Sequence, residues 1–430
     1  MATVHNDPAE RAGLPWGDAG PLAQSGIAMG LLLANARLSD GRLVDVLVIG
    51  EFVQAVEPVG TLAQTGWECV DLAGQLVTPG LTDPHLHPDK AFGLEDDTGA
   101  ASTLAAAVAR VRAQKPEQTS AMIKARTIRL VEWCLQLGTT RARMYAEVDP
   151  LLGLRSVAGV LAARTAVADR FHLEVVAFPQ EGIIREPGTL SLMRDAMRLG
   201  CDVVGAISYQ DPDARVHLGL AASLARELGA PLDVHADFGV GVQQSCLDLL
   251  TEIAASFGLR GRVTVGHCTT LAAMEEAMLQ RTIAHLVEAG IRVVCLPRTD
   301  LYMDGRVAPL DRLWQAGVPA FVGTNNVVNA FTPVGRPSLP SAAAVYALAA
   351  RQGSRQFLDK LAASLWQGAE LTPGAAADLC IWPVREPWQL VATEAEPGAV
   401  LVRGRFVHRR PAALSSADWR LAVSGGRLPG

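Results

Sequence analysis

Through the middle of the chain, short apolar runs alternate with stretches in which apolar residues recur every three or four positions. The runs are LVTPGLTDPHLH, TTRARMYAEV, LEVVAFPQ, CDVVGAISYQ, PLDVHADF, RVTVGHC, IRVVCLP and PAFVGTN, which makes eight strand candidates. Segments such as LGLAASLAREL and LDLLTEIAASF lie between many of them and carry the spacing of amphipathic helices. Eight strands alternating with helices predict an α/β chain folded as a (β/α)8 TIM barrel rather than a doubly wound sheet.

The two ends of the chain have a different texture. From residue 27 to 78 the pattern is LLLANARL, a turn at Ser39-Asp40-Gly41, VDVLVIG, FVQAVEP and CVDLAGQLVTPG, and ADLCIWPV and AVLVRGRFVH repeat it near the other end. The expected organisation is a small β-sandwich domain built from 27–78 and 366–412, enclosing a barrel over 79–365. A loose arm (1–26) and a tail (413–430) complete the expectation.

Composition narrows the partners. The chain has 430 residues, 49% hydrophobic and 19% charged, too few charges for a disordered chain. A net charge of −6 gives no electrostatic footprint for nucleic acid. No run of about 18 uncharged apolar residues occurs, which argues against a membrane-spanning helix, and the Pro- and acid-containing N-terminus does not read as a signal peptide. Seven cysteines without a CxxC spacing read as reduced thiols of a cytoplasmic protein. Aromatics are only 5%, and a core of Ala, Val and Leu suits a parallel sheet under Ala-rich helices.

In a barrel the strands' C-terminal ends share one rim, where polar residues are candidates for chemistry. His85 and His87 lie there on the first strand, Gln180 on the third, His235 on the fifth, His267 on the sixth and Asn325 on the eighth. In extended backbone i and i+2 project to one face, so both imidazoles of His85-Leu86-His87 can bind one metal ion. The spacing alone is weak, and two surface or core histidines are the bland alternative. Convergence with His235 and His267 favours the metal. Cys268, next to His267, points to the opposite strand face and is not read as a nucleophile.

On these segments the chain resembles the amidohydrolase superfamily, in its cytosine deaminase branch. PGLTDPHLHPDK (79–90) is similar to the family's first-strand metal motif, VVAFPQEGI (175–183) to its substrate-binding third strand, GRVTVGHCTTL (261–271) to its sixth, and LTPGAAADLCIW (371–382) to the return into the sandwich. The resemblance implies one divalent metal, zinc or iron, held by His85, His87 and His235 with Asn325 beside them, and His267 placed against the metal's water. It assigns a small heterocyclic substrate to Gln180, with Phe238, Lys90 and Asn326 as further candidates to contact it, and is compatible with a homo-oligomer. The implied reaction is hydrolysis of a non-peptide C–N bond in a cyclic amidine, amide or urea-like ring.

Two positions depart from the family pattern. Where members usually carry Asp after the eighth strand this chain has Asn325, an amide that can ligate through oxygen but cannot take a proton. Where deaminases place Glu three residues beyond the fifth-strand histidine it has Phe238, which does no acid or base work but can wall a planar ring. His267 is the first candidate to move the proton, with Asp237, Glu181 and Asp89 behind it. Their alternatives are a loop cap, a salt-bridge partner and a carboxylate that fixes Lys90 or a histidine. Arg298, Tyr302, Asp304 and Arg306 fall on a rim loop, solvated or selecting a polar substituent. A ring-opening hydrolase or lyase, and a binding homologue that kept only the pocket, stay open as alternatives.

Overall fold

The computed structural model describes residues 30–63, 66–95, 99 and 101–410. Barrel strands β6 (Leu81–Leu86), β7 (Thr139–Glu147), β8 (His172–Phe178), β9 (Val203–Ile207), β10 (Leu232–Ala236), β11 (Val263–His267), β12 (Arg292–Cys295) and β13 (Ala320–Val322) follow β1 (Leu31–Arg37), β2 (Leu43–Ile49), β3 (Phe52–Pro58), β4 (Glu68–Asp71) and β5 (Leu76–Pro79) in the chain. β14 (Leu379–Trp382), β15 (Ala399–Val402) and β16 (Arg405–Arg409) come last.

From β6 to β13 the strands pair in chain order, all parallel, with helices between them. This is the (β/α)8 barrel that the alternation of patterns predicts. Every residue of β9, β10 and β11 is buried, because helices cover one face and the barrel interior the other. The ring closes between the last strand and the first: the Asn325 N–H donates to His85 O and the His87 N–H to Asn325 O, each at 2.8 Å. Closure therefore falls on residues of the site.

The helices obey local rules. Ala214–Leu228 starts where the Asp213 side chain accepts the Val216 N–H at 3.1 Å, and ends at Gly229 with φ 63°, a left-handed position that suits glycine. Its Leu218, Ala221, Ala222 and Ala225 pack one face onto the barrel.

β-Strands from both chain ends join in a second, mixed sheet ordered β16-β15-β14-β5-β1-β2-β3, with β4 alongside β1. Its core, including Leu33, Val46, Leu72, Leu379 and Leu401, is distinct from the barrel's. The expected arm (1–26) and tail (413–430) lie outside the described residues. The seven cysteines are free thiols, six of them buried. No helix among the described residues is long and apolar enough to cross a membrane.

Candidate metal centre and active site

Strand parity sets the site. β6 turns Asp83 and His85 to the barrel interior, and His87 keeps that parity just past the strand's end. β10 supplies His235, whose Nε2 lies 3.1 Å from His85 Nε2 and 3.0 Å from His87 Nε2. On β11 the residue paired with His235 is Gly266, and a Cβ there would come within 2.8 Å of the His85 ring. Only glycine leaves His85 its place.

Hydrogen bonding fixes the His85 tautomer. The Tyr145 hydroxyl donates to Asp233 Oδ1 at 2.7 Å, so toward His85 Nδ1, at 2.8 Å, it acts as acceptor. His85 then carries its proton on Nδ1 and presents a bare Nε2. Asp233 is held in turn by Arg143 Nη1 at 2.6 Å, whose Nε donates to Glu174 at 2.6 Å.

The cluster can be tested against a metal ion. His235 Nε2 has at most one proton to share between two neighbours, so hydrogen bonds alone do not satisfy three convergent nitrogens. Three nitrogens each about 2.0–2.1 Å from one divalent ion sit at roughly this mutual spacing. Burial, with the positive charge of neighbouring groups, pushes all three imidazoles well below their ordinary pKa, which keeps them neutral and able to ligate. Among the described residues these three alone form a group of metal-binding side chains. Asn325, lining the same cavity, has a buried Oδ1 without a partner. The donor set fits a divalent cation.

His267 stands beside the triad, its ring centroid 5.3 Å from that of His235. Its Nδ1 donates to Asp300 Oδ1 at 2.6 Å, leaving Nε2 on the cavity side, and Phe238 stacks on the ring at 4.0 Å. Asp300 is wholly buried, and its other oxygen accepts the Leu296 N–H at 2.9 Å. Burial raises its carboxyl pKa, against the pull of His267. The backbone here is strained: Asp237, His267, Cys268 and Asn325 have φ of 54°, 71°, 54° and 60°. Non-glycine residues in that region cost about 1–3 kcal/mol each, and such strain gathers at functional sites.

The opposite wall carries Lys90, Gln180 and Asn326. Lys90 Nζ donates to Glu147 and to Gln180 Oε1, the latter at 3.1 Å, so Gln180 offers its amide N–H toward the cavity. Behind them Lys115 bridges Glu147, Asp149 and Glu181 at 2.7 to 2.9 Å. Burial alone would raise the Glu147 carboxyl, but Lys115 and Lys90 hold it down at about 2. Asn326 Oδ1 accepts from Asn329 Nδ2 at 2.8 Å. Leu104, Tyr209, Phe238 and Phe331 complete the lining, and the enclosed space is about 20 Å³, room for a water molecule. A heterocycle enters only if these side chains move.

Of the candidates expected to move a proton, His267 faces the cavity and the three carboxylates do not. Asp237 accepts the Cys246 N–H at 2.8 Å and the Thr270 hydroxyl at 2.6 Å, which makes it a loop cap. Glu181 is paired with Lys115 and Arg112, and Asp89 binds the Glu147 N–H and the Ser156 hydroxyl. The expected rim loop is in fact the helix Pro297–Met303, which proline starts. Arg298, Tyr302 and Arg306 brace neighbouring backbone from it and from the turn that follows, and Arg306 also holds Asp304. The reading of the sequence missed Asp300, Tyr145, Asp233 and Glu147. Three of these carried a signal, as polar residues at interior parity in apolar strands. Asp300 carried none.

No family model matches the chain. It is 28% identical over 326 residues to the N-isopropylammelide isopropyl amidohydrolase of Pseudomonas sp. (strain ADP), covering 73% of this chain and 79% of that protein. It is 26% identical over 323 residues to the pterin deaminase of Rhizobium rhizogenes, covering 71% and 70%. Among solved structures, the N-isopropylammelide isopropylaminohydrolase of Burkholderia multivorans superposes with a TM-score of 0.80 at 25% identity, over 89% of this chain and 98% of that one. The 5-methylcytosine deaminase of Klebsiella pneumoniae gives 0.82 at 22%, with the same coverage. These relatives and structural neighbours are deaminases and hydrolases of the amidohydrolase superfamily. They match a cytosine-deaminase-like branch, and the named relatives are hydrolytic enzymes that act on C–N bonds other than peptide bonds.

Proposed function

We propose that this protein is an amidohydrolase that hydrolyses a C–N bond of a small planar oxo- or amino-substituted heterocycle, with one zinc or iron ion held by His85, His87, His235 and the Asn325 amide oxygen. The observation that carries the reading is the convergence of three buried, neutral imidazoles on one point beside the His267–Asp300 pair. A divalent ion bound there lowers the pKa of coordinated water toward neutrality and so supplies a nucleophile.

The chain's own residues supply the remaining functions. His267 Nε2 takes a proton from the nucleophile and returns it to the departing nitrogen, while Asp300 keeps the Nδ1 proton in place and stabilises the imidazolium. One shuttle thus stands in for the carboxylates absent at 325 and 238. Gln180 and Lys90 present N–H donors to a ring oxygen or ring nitrogen, orienting the bond under attack. Phe238 does two things: it packs flat against His267, excluding water from the shuttle, and it offers a face for a planar ring. Asn325, being neutral, would leave more positive charge on a divalent ion held there than a carboxylate would.

The test is turnover of a panel of amino- and N-alkylamino-substituted triazines, pterins and pyrimidines, with ammonia or free amine and the ring products both quantified. Release of ammonia or amine with the ring intact is the expected result. A ring-opened product that retains all its nitrogen would favour a cyclic amide as substrate, and no turnover by metal-loaded protein would refute the proposal.

A further inference from the structure

A cavity far larger than the one at the triad lies elsewhere on the barrel. At the other end, where the barrel strands begin, a cavity of about 520 Å³ is lined by the first residues of six strands. It is separated from the metal centre by the layer of Arg143, Asp233 and Tyr145 that fills the barrel interior. The active-site rim is therefore not part of it.

Five arginines line this floor, namely Arg141, Arg143, Arg164, Arg292 and Arg403, against the three carboxylates Asp83, Glu174 and Asp202. All three carboxylates are occupied. Glu174 binds Arg143 at 2.6 Å, Asp202 binds Arg164 at 2.9 Å, and Asp83 accepts the Thr324 hydroxyl and the His85 N–H. Among the described residues Arg292 and Arg403 have no hydrogen-bonded or ion-paired carboxylate, and Arg141 has none in contact but lies in the field of Asp378, whose carboxyl it helps to hold down.

Strand register brings these three together. Arg141 on β7 pairs with His172 on β8, whose Nε2 binds Asp378 Oδ2 at 2.8 Å, and Asp378 Oδ1 accepts the Arg403 N–H at 2.8 Å. That links the β7 arginine to the turn between β15 and β16 of the other sheet. On the far side Arg292 pairs with Thr264, which Arg143 touches at 3.2 Å, and Arg143 follows Arg141 at the same strand parity. Between the guanidiniums the wall is apolar, formed by Phe171, Leu173, Val294 and Phe321.

We propose that the barrel floor is a second binding site, for a small organic molecule bearing an oxyanion, either a carboxylate or a phosphate. Guanidinium forks match both groups in bidentate geometry, Arg292 and Arg403 bring charge that no carboxylate offsets while Arg141 shares only the field of Asp378, and the apolar wall takes the carbon body. The occupant spans the barrel and the second sheet. The site does not depend on the reading of the metal centre.

The experiment is isothermal titration of the full-length, metal-loaded protein with inorganic phosphate and, separately, with succinate, at constant ionic strength with chloride as control. Saturable binding of one equivalent is expected, with chloride giving none, and the tighter of the two anions identifies the head group. Arg141→Gln and Arg292→Gln should each weaken it by about tenfold or more, as loss of one charge-assisted contact does, while metal content and unliganded melting temperature stay unchanged. Absence of saturation by either anion would overturn the proposal. So would an affinity untouched in both variants, because the anion would then be binding elsewhere, for instance at the metal.

Discussion

Replacing Tyr145 by Phe deletes a single oxygen and keeps the ring that stacks on His87 and packs against His85 and the edge of Phe178. That oxygen accepts from His85 Nδ1 at 2.8 Å and donates to Asp233 Oδ1 at 2.7 Å. Two consequences follow. Asp233, which is fully buried, keeps Arg143 but loses a donor, and an unsatisfied buried group costs about 1–3 kcal/mol. His85 loses the partner that confines its proton to Nδ1, so a population with the proton on Nε2 competes with metal binding. Loss of such an outer partner lowers metal affinity about 10- to 100-fold, or roughly 1.4–2.7 kcal/mol. The assay is zinc competition against a chelator of known affinity, with thermal unfolding of the metal-free protein measured in parallel. A metal affinity within twofold of wild type would refute the argument that Tyr145 sets the His85 tautomer, whatever happened to stability.

Three further outcomes are expected. Asp300→Asn should lower kcat by about 100-fold or more, the scale of acid–base catalysis, with metal content unchanged and the pH–rate profile altered; a wild-type profile would show that His267 does not need the carboxylate. Gly266→Ala should cut metal content, since its Cβ would meet the His85 ring at 2.8 Å, and full occupancy in that variant would mean the ring has room to move. Glu147 has a folded pKa lowered from 4.5 to about 2, so the folded state binds fewer protons than the unfolded chain between those values. Its contribution is complete above pH 4.5 and is lost as pH falls toward 2, roughly 3 kcal/mol at 1.36 kcal/mol per unit. Urea unfolding of wild type and Glu147→Gln across pH 2–5 should show the slope shrink in the variant, and equal slopes would contradict the assignment.

Much of this architecture was legible before the coordinates. Period-2 and period-3.6 patterns separate strands from helices because each buries a different face, and eight alternations leave few closed arrangements. The triad was legible for the same reason, since His85-Leu86-His87 has the parity of one face and His235 and His267 end apolar runs. The outer partners were harder. Arg143, Tyr145 and Glu147 alternate within β7 and betray a polar barrel interior, yet Asp233, which Tyr145 and Arg143 meet, lies about 90 residues further on. Asp300 sits in the first turn of a short helix, 33 residues from His267, and nothing local distinguishes it from a helix-start acid. Phe238 was visible as a missing carboxylate and as a wall for a planar ring, but not as a partner of His267. Its stacking on His267 shows what the ring does instead: it shields one face of the imidazole on which the proton transfer is proposed to depend.

The central claim is that three histidines hold one divalent ion that the reaction requires. Elemental analysis of purified wild-type protein beside His235→Ala tests it most directly. One equivalent of zinc or iron per chain is expected in the wild type, with loss of both metal and turnover in the variant. A wild type that takes up no divalent metal after dialysis against zinc or iron, or a variant that keeps full turnover without metal, would contradict the account.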